Sequence, residues 1–436
     1  MLLIGIIVFV EIVWHLTIRK ISQTMLKKLF TIAILNFMLA HHIHAAQIEV
    51  CQTCPISSLR QAIHIANNGD IILIQPGVYK EGNIEVNKSL TLKGIDYPIL
   101  DGNDSDEILT ITADSVIVEG IEFHNAGKSH LKDLAAIRIR KGKYFVILNN
   151  YIIDAYFGIY IEHGSYGLIE GNTVIGLAKN EASSGNAIHA WYAQHLEISS
   201  NYLKGHRDGI YLEFVNNSMI VNNLSKNNLR YGLHFMFSND DEYQCNKFQD
   251  NGAGVAVMFS KRIEMLNNLF EQNWGTAAYG LLLKEIYDAN IAGNQFIQNT
   301  VGIFLEGATR IEYRYNQFYN NGWAIQMTGG CLDNNFIYNN FESNTLDMVV
   351  NSRVNNNTLN NNYWSEYTGY DLDRDGFGDI PFRPVKLYSY VLTQSPESII
   401  LLRSFFIDLL NFSEKVSPAL TPQDVADYSP LINRIS

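Results

Sequence analysis

One asparagine returns every 22 or 23 residues through most of the chain. It falls at Asn150, Asn172, Asn201, Asn223, Asn246, Asn268, Asn294, Asn316, Asn339 and Asn361, in steps of 22, 29, 22, 23, 22, 26, 22, 23 and 22. A second marker, a small residue opening an apolar run, falls at Gly158, Ala187, Gly209, Gly232, Gly254, Gly280, Gly302 and Ala324, in steps of 29, 22, 23, 22, 26, 22 and 22. Both series lengthen at the same places, so the 29 and the 26 are loop insertions and not lost register. A fixed period means one supersecondary unit stacked on its neighbours. Each unit holds short, alternating β-rich runs between Asn/Gly corners, which fits one coil of a parallel β-helix. The leucine-rich repeat overlaps in period, but Leu is not the fixed residue here and no helical pattern fills the second half of the unit. Asn suits a repeated corner because it tolerates left-handed backbone and because stacked amides can satisfy one another along the axis. The expected fold is all-β, a right-handed parallel β-helix with coils of about 22 residues, a short N-terminal capping helix and a C-terminal helical tail.

Both ends of such a solenoid expose strand edges that need covering. "SSLRQAIHIANNGD" reads as a short amphipathic helix capped by Ser57 or Ser58, with Leu59, Ile63 and Ala66 on one face. Residues 1–46 read as a signal region: from Met25, two lysines precede the apolar run Leu29 to Ala40 and the small residues Ala45 and Ala46. Met25 is then the expected start; a retained membrane anchor is the competing reading. The divisions that follow are 47–125 for the cap and first irregular coils, 126–368 for the regular coils, 369–390 for an Asp-rich capping loop and 391–436 for an apolar helix and tail. Lys+Arg number 32 against 44 Asp+Glu, a formal charge of -12. No Lys/Arg cluster of five follows the N-terminus, which disfavours nucleic-acid binding. In an exported chain, Cys51 and Cys54 ("CQTC") read first as a local disulfide, with metal or redox use as the alternative, although no second C-x-x-C and no βαβ pattern supports it. Cys245 and Cys331 read as packing residues.

Strand alternation lets the outward residues of one sheet be read from the "G-I-x-I" runs. The first outward column is Tyr160, His189, Tyr211, His234, Ala256, Leu282, Phe304 and Gln326; the second is Glu162, Trp191, Glu213, Met236, Met258, Lys284, Glu306 and Thr328. Histidine, methionine and aromatic residues replace the Ser/Thr/Lys mixture of a merely solvated sheet. Imidazole and thioether suit copper, Cu(I) above all, better than calcium or magnesium. His189, His234, Met236 and Met258 are therefore the copper candidates, with the two histidines close enough to share one metal or to serve adjacent sites. The same residues could instead be aromatic and Met side chains covered by the 176–186 insertion or by a partner. His206, Arg207 and Asp208 precede a strand at one corner, where they could orient ligands or form a salt bridge.

"YDLDRDGFGDIPFRP" opens like a calcium loop with Asp371, Asp373 and Asp375, and Asp379 follows. Eleven residues beyond Asp371 stands Phe382, where an EF-hand needs a bidentate Glu. A weaker calcium loop and a metal-free turn held by Asx hydrogen bonds both remain open. "ESIILLRSFFIDLLNF" is helical in period, too short to span a bilayer and too apolar to stand alone. It either packs on the solenoid or docks in a groove of a membrane-bound partner.

"RDGIYL", "YGLHFMFSND", the aspartate stretch, "LLRSFFIDLLNF" and "LTPQD" together resemble the NosD family, exported β-helix proteins that assist maturation of nitrous oxide reductase. The resemblance runs from about residue 47 to the C-terminus. It implies a periplasmic location, association with an ABC transporter (permease plus ATPase), transient copper delivery to the reductase and a copper-chaperone lipoprotein upstream. Any membrane contact would then run through the transporter. The motif positions it covers are Arg207, Asp208, His234, Met236, Asn239, Asp240, Asp371, Asp373 and Asp375. His189, Met258 and His206 rest on the column alignment alone. Trp191, Arg207, Asp208, Tyr211, Glu213, Asn239 and Asp240 form the expected ligand or partner face. The leading expectation is a non-enzymatic maturation factor. The alternative is a polysaccharide lyase or C5-epimerase, for which His206, Arg207, Asp208 and Glu213 could supply acid, base and charge neutralisation. A passive adhesin would leave the His/Met columns unexplained.

Overall fold

Each repeat lays down three short strands and passes to the next coil, so every strand pairs in parallel with its counterpart one repeat later. Among the described residues the result is three parallel sheets of 14, 12 and 13 strands. The computed structural model describes residues 45–129, 132–351, 356–402, 404–416 and 425–435. The expected signal segment, with its start at Met25, lies outside the described residues. In register the steps of the sequence repeat reappear directly: His189 pairs with Tyr211 and Tyr211 with His234.

Alternation sends the middle residue of most three-residue strands inward, usually an apolar one, where it meets its equivalent from the next coil. Along one interior line Phe248, Phe270, Phe296, Phe318, Phe341 and Trp364 stack with ring centroids 5.5, 4.6, 4.9, 4.8 and 4.1 Å apart. Coil spacing and ring thickness favour near-parallel offset stacking.

The asparagine series is a buried ladder. The Oδ1 of each rung accepts the backbone N–H and side-chain amide of the rung before it, as Asn246 does from Asn223 at 2.9 and 3.0 Å. Two details of the sequence reading change. The last rung is Asn362, not Asn361: its Oδ1 accepts from Asn339. No ladder asparagine has positive φ; the preceding residue does, among them Asn149, Ser200, Cys245, Tyr315 and Asn361, with φ between 52° and 56°. The ladder residue turns its amide inward, which requires ordinary backbone, and the neighbour makes the corner. A second ladder, unread in the sequence, runs Asn228, Asn251, Asn273, Asn299, Asn321 and Asn344. The buried His206 donates its backbone N–H to Asn228 at the head of this ladder.

The N-terminal end is closed by helix α1 (Leu59–Ile65), whose Ser58 cap accepts from the Gln61 N–H at 3.3 Å. Leu59, Ala62 and Ile63 are buried against the first coils. Cys51 and Cys54 are joined by a disulfide beside this cap. Cys245 is exposed and Cys331 buried, both free thiols.

At the far end, helices α2 (Leu387–Gln394) and α3 (Phe405–Val416) pack on the outward face of the twelve-stranded sheet. Tyr388, Leu392 and Ile407 form one apolar cluster there with Leu346 and Val349, and Trp323 adjoins it. The last residues then return to the solenoid axis, where Asp427 is wholly buried.

Candidate site on the outward face of the twelve-stranded sheet

Both columns read from the sequence lie on the outward face of this sheet. Tyr160, His189, Tyr211, His234 and Ala256 are register partners in turn, as are Glu162, Trp191, Glu213, Met236 and Met258. A third outward line, missed in the sequence, comes from the first residue of each strand: Phe157 and Tyr231 contact His189 and His234 at ring centroids of 5.1 and 4.8 Å. The signal was present in "RYGLHFM", where an aromatic residue stands three before the histidine.

His234 is 5% exposed, and neither ring nitrogen has a hydrogen-bond partner among the described residues. Tyr211 and Tyr231 flank it at 4.8 Å each. Burial, then the Arg230 and Arg207 charges, lowers its pKa to about 3, so the ring is neutral. Tyr211 directs its hydroxyl at the Met236 sulfur, 3.6 Å away. Burial, with Glu213 nearby, pushes this phenol up to about 12 and keeps it a donor. Met236 and Met258 sit side by side on adjacent strands. Imidazole lone pair and two thioethers thus lie on neighbouring positions of one rigid sheet.

His189 does not share this grouping. The Tyr211 ring lies between the two histidines, 4.9 Å from His189 and 4.8 Å from His234, which blocks a shared metal. The His189 Nδ1 is also engaged, 3.0 Å from the Asn186 amide nitrogen. His206 is interior and not on the face. Arg207 and Asp208 form a corner ion-pair group: Asp208, fully buried, accepts from Arg230 at 3.0 and 2.9 Å and from Arg207 at 3.3 Å. Asn239 and Asp240 leave the face altogether. They occupy the next corner, where Asn239 bridges Asn216 and Lys261 and Asp240 pairs with Arg262. Trp191 stays on the face against His163, at 5.0 Å, with Glu213 beside it.

The carboxylates of Asp371, Asp373 and Asp375 lie within 4.8 Å of one another. Asp371 also accepts from the backbone of Arg374, Asp375 and Gly376, an Asx-held turn. Asp379 is not in the cluster, because its carboxylate takes the Leu372 N–H at 2.7 Å.

Helix α3 presents two faces. Ile407, Leu410 and Glu414 turn inward, whereas Phe405, Leu409, Phe412 and Val416 are 80%, 53%, 63% and 68% exposed. Among the described residues no helix is long and apolar enough to cross a membrane.

Residues 167–369 match the family model described as "Periplasmic copper-binding protein (NosD)". That stretch contains the whole His/Met block and ends before the aspartate loop. A "Probable ABC transporter binding protein NosD" of Pseudomonas aeruginosa is 28% identical over 372 residues, 80% of this chain and 86% of the relative. Its namesake in Stutzerimonas stutzeri is 26% identical, covering 81% and 84%. Among solved structures, a family 28 exopolygalacturonase of Yersinia enterocolitica superposes with a TM-score of 0.55 at 11% identity, covering 71% of this chain and 78% of that one. At that identity it shares the fold alone.

Proposed function

Because this chain belongs to the NosD family, we propose that it is a periplasmic, non-enzymatic accessory protein of nitrous oxide reductase maturation that carries copper on its way to the reductase. One observation supports copper most directly: both ring nitrogens of His234 are buried, without hydrogen-bond partners among the described residues, on the same face as Met236 and Met258. A buried polar group left unpaired costs about 1–3 kcal/mol, and a ligand that takes the free lone pair relieves part of it. The donor set of His234, Met236 and Met258 has no thiolate and no carboxylate, which suits a soft monovalent ion. Neutral donors also hold such an ion loosely, and the Tyr211 hydroxyl competes for the Met236 sulfur. Transient carriage needs both properties.

The exposed face of α3 is the surface offered to the permease of an ABC transporter, whose ATPase lies across the membrane. It lies on the same sheet face as the copper block. Three strand spacings, about 14 Å, separate the strand of Met258 from that of Trp323, on which the helices begin to pack. Copper would arrive from a chaperone lipoprotein and leave to the reductase along this face.

The test is an anaerobic Cu(I) titration of the exported chain against a chromophoric chelator. His234→Ala and Met236→Ala are each expected to weaken binding about tenfold or more, the loss of one donor. Unchanged affinity in both variants, or no retained Cu(I) together with cleavage of pectin-like or alginate-like polymers, would sink the copper reading and favour a lyase or epimerase.

A further inference from the structure

On the N-terminal side of the copper block, the same sheet face carries a cleft of about 710 Å³ whose lining includes His189, Tyr160 and Trp191. Its chemistry follows from a hydrogen-bonded series that begins at the buried Asp208. Arg207 donates to Asp208 at 3.3 Å and to the Asn186 Oδ1 at 3.2 Å. A guanidinium can only donate, so Asn186 must present its oxygen to Arg207 and its NH2 to the His189 Nδ1, 3.0 Å away. That nitrogen therefore accepts, and the single proton of the neutral ring stands on Nε2. His189 becomes a fixed donor lining the cleft.

Around this donor the cleft alternates donors and acceptors. Arg138 is buried, paired with Glu107 and placed 4.4 Å over the Tyr160 ring. Arg140, about half exposed at 53%, approaches Glu162 at 3.7 Å. Trp191 lies between Glu162 and Glu213 in register, and Glu213 has no ion-pair partner among the described residues. An aromatic plane edged by carboxylates, with guanidinium and imidazole donors nearby, suits a ligand whose groups both donate and accept, which is the property of sugar hydroxyls. Carboxylates outnumber cations in the lining five to three, which opposes uronates and phosphates. The floor is the face of a sheet whose backbone groups are spent in the ladder, so an extended peptide finds no edge to join.

We propose that this cleft binds a short neutral saccharide, one ring resting on Trp191 and one oxygen accepting from the His189 Nε2–H. The site is separate from the copper donors and does not depend on them.

The exported chain would be titrated with cellobiose, maltotriose and N,N′-diacetylchitobiose by calorimetry and saturation-transfer NMR, beside trigalacturonate and a lysine-rich peptide. Saturable binding of a neutral probe is expected, abolished by Trp191→Ala. Asn186→Asp places a second acceptor at Nδ1 and moves the ring proton there, which removes the donor. It should weaken binding about tenfold, the worth of one hydrogen bond, while ¹⁵N shifts of His189 report the inverted tautomer. Cu(I) affinity should stay at its parental value in Trp191→Ala. The proposal is overturned if no neutral probe saturates, if only trigalacturonate or the peptide binds, or if both variants bind like the parent.

Discussion

The carboxylate of Asp427 ends the asparagine ladder: it accepts the N–H and side-chain amide of Asn362 at 2.9 and 3.0 Å, across 65 residues of sequence. It also takes the indole N–H of Trp364, the last member of the interior aromatic stack, at 3.1 Å. A ladder in which each rung satisfies the one before it leaves its final donors open, and Asp427 closes them. Asp427→Ala would bury three unpaired donors, so a loss of roughly 3–5 kcal/mol is expected. Asp427→Asn keeps an acceptor oxygen and should lose about 1 kcal/mol. Urea unfolding of the two variants measures the difference; equal losses would show that Asp427 is a passive filler.

Within the ladder, Asn246→Ala removes the acceptor of Asn223 and the donor to the Ile220 carbonyl, 2.8 Å away. The expected cost is roughly 2–4 kcal/mol. Asn239→Ala, at a corner outside the ladder, should cost under about 1 kcal/mol. Thermal unfolding that ranks the two alike would contradict the ladder's role.

Asp347 lies on the last strand of the twelve-stranded sheet, Leu346–Asn351, against which α2 packs. Burial, then the Glu366 charge, pushes its carboxyl up to about 7, although Asn344 donates to it at 3.2 Å. The unfolded chain ionises this group near pH 4. Between about pH 4 and 7 the unfolded state therefore releases a proton that the folded state keeps, and stability falls as pH rises. Above about pH 7 both states are ionised and the loss is complete. Asp347→Asn should match the parent near pH 4 and exceed it at pH 8 by at most about 4 kcal/mol. Parallel pH profiles of the two proteins would refute this assignment.

The outer face of α3 should matter for association and not for folding. Phe405→Ser with Phe412→Ser changes two largely exposed side chains, so stability should move by no more than about 0.5 kcal/mol each. Binding to the transporter permease in nanodiscs should be lost. Ile407→Ser, on the buried face, is the opposite control: it should lower stability by about 2 kcal/mol or more. Retained permease binding by the Phe405/Phe412 pair would move the docking surface elsewhere.

Periodicity made the solenoid legible because a repeated coil repeats its constraints. The steps of 29 and 26 residues were readable as insertions, and the outward columns followed from alternation. Asn361 and Asn362 show where the reading loses precision. Two adjacent asparagines look alike in sequence, yet one turns the backbone and the other turns its amide inward. His189 and His234 looked equivalent in their column. Their difference lies in their contacts: Asn186 holds one ring, while the nitrogens of the other have no hydrogen-bond partner among the described residues.

By itself, the sequence determined the repeat, the register of the sheets and the chemical type of each outward column, because these depend on residue spacing along one chain. Only the tertiary structure decided which proton His189 carries, that Tyr211 stands between the two histidines, and that Asp427 ends the ladder. It also decided that α3 keeps one face on the sheet and the other in solvent. These are contacts between residues far apart in sequence or on neighbouring coils, and their outcome is set by distance and desolvation, which spacing alone does not contain.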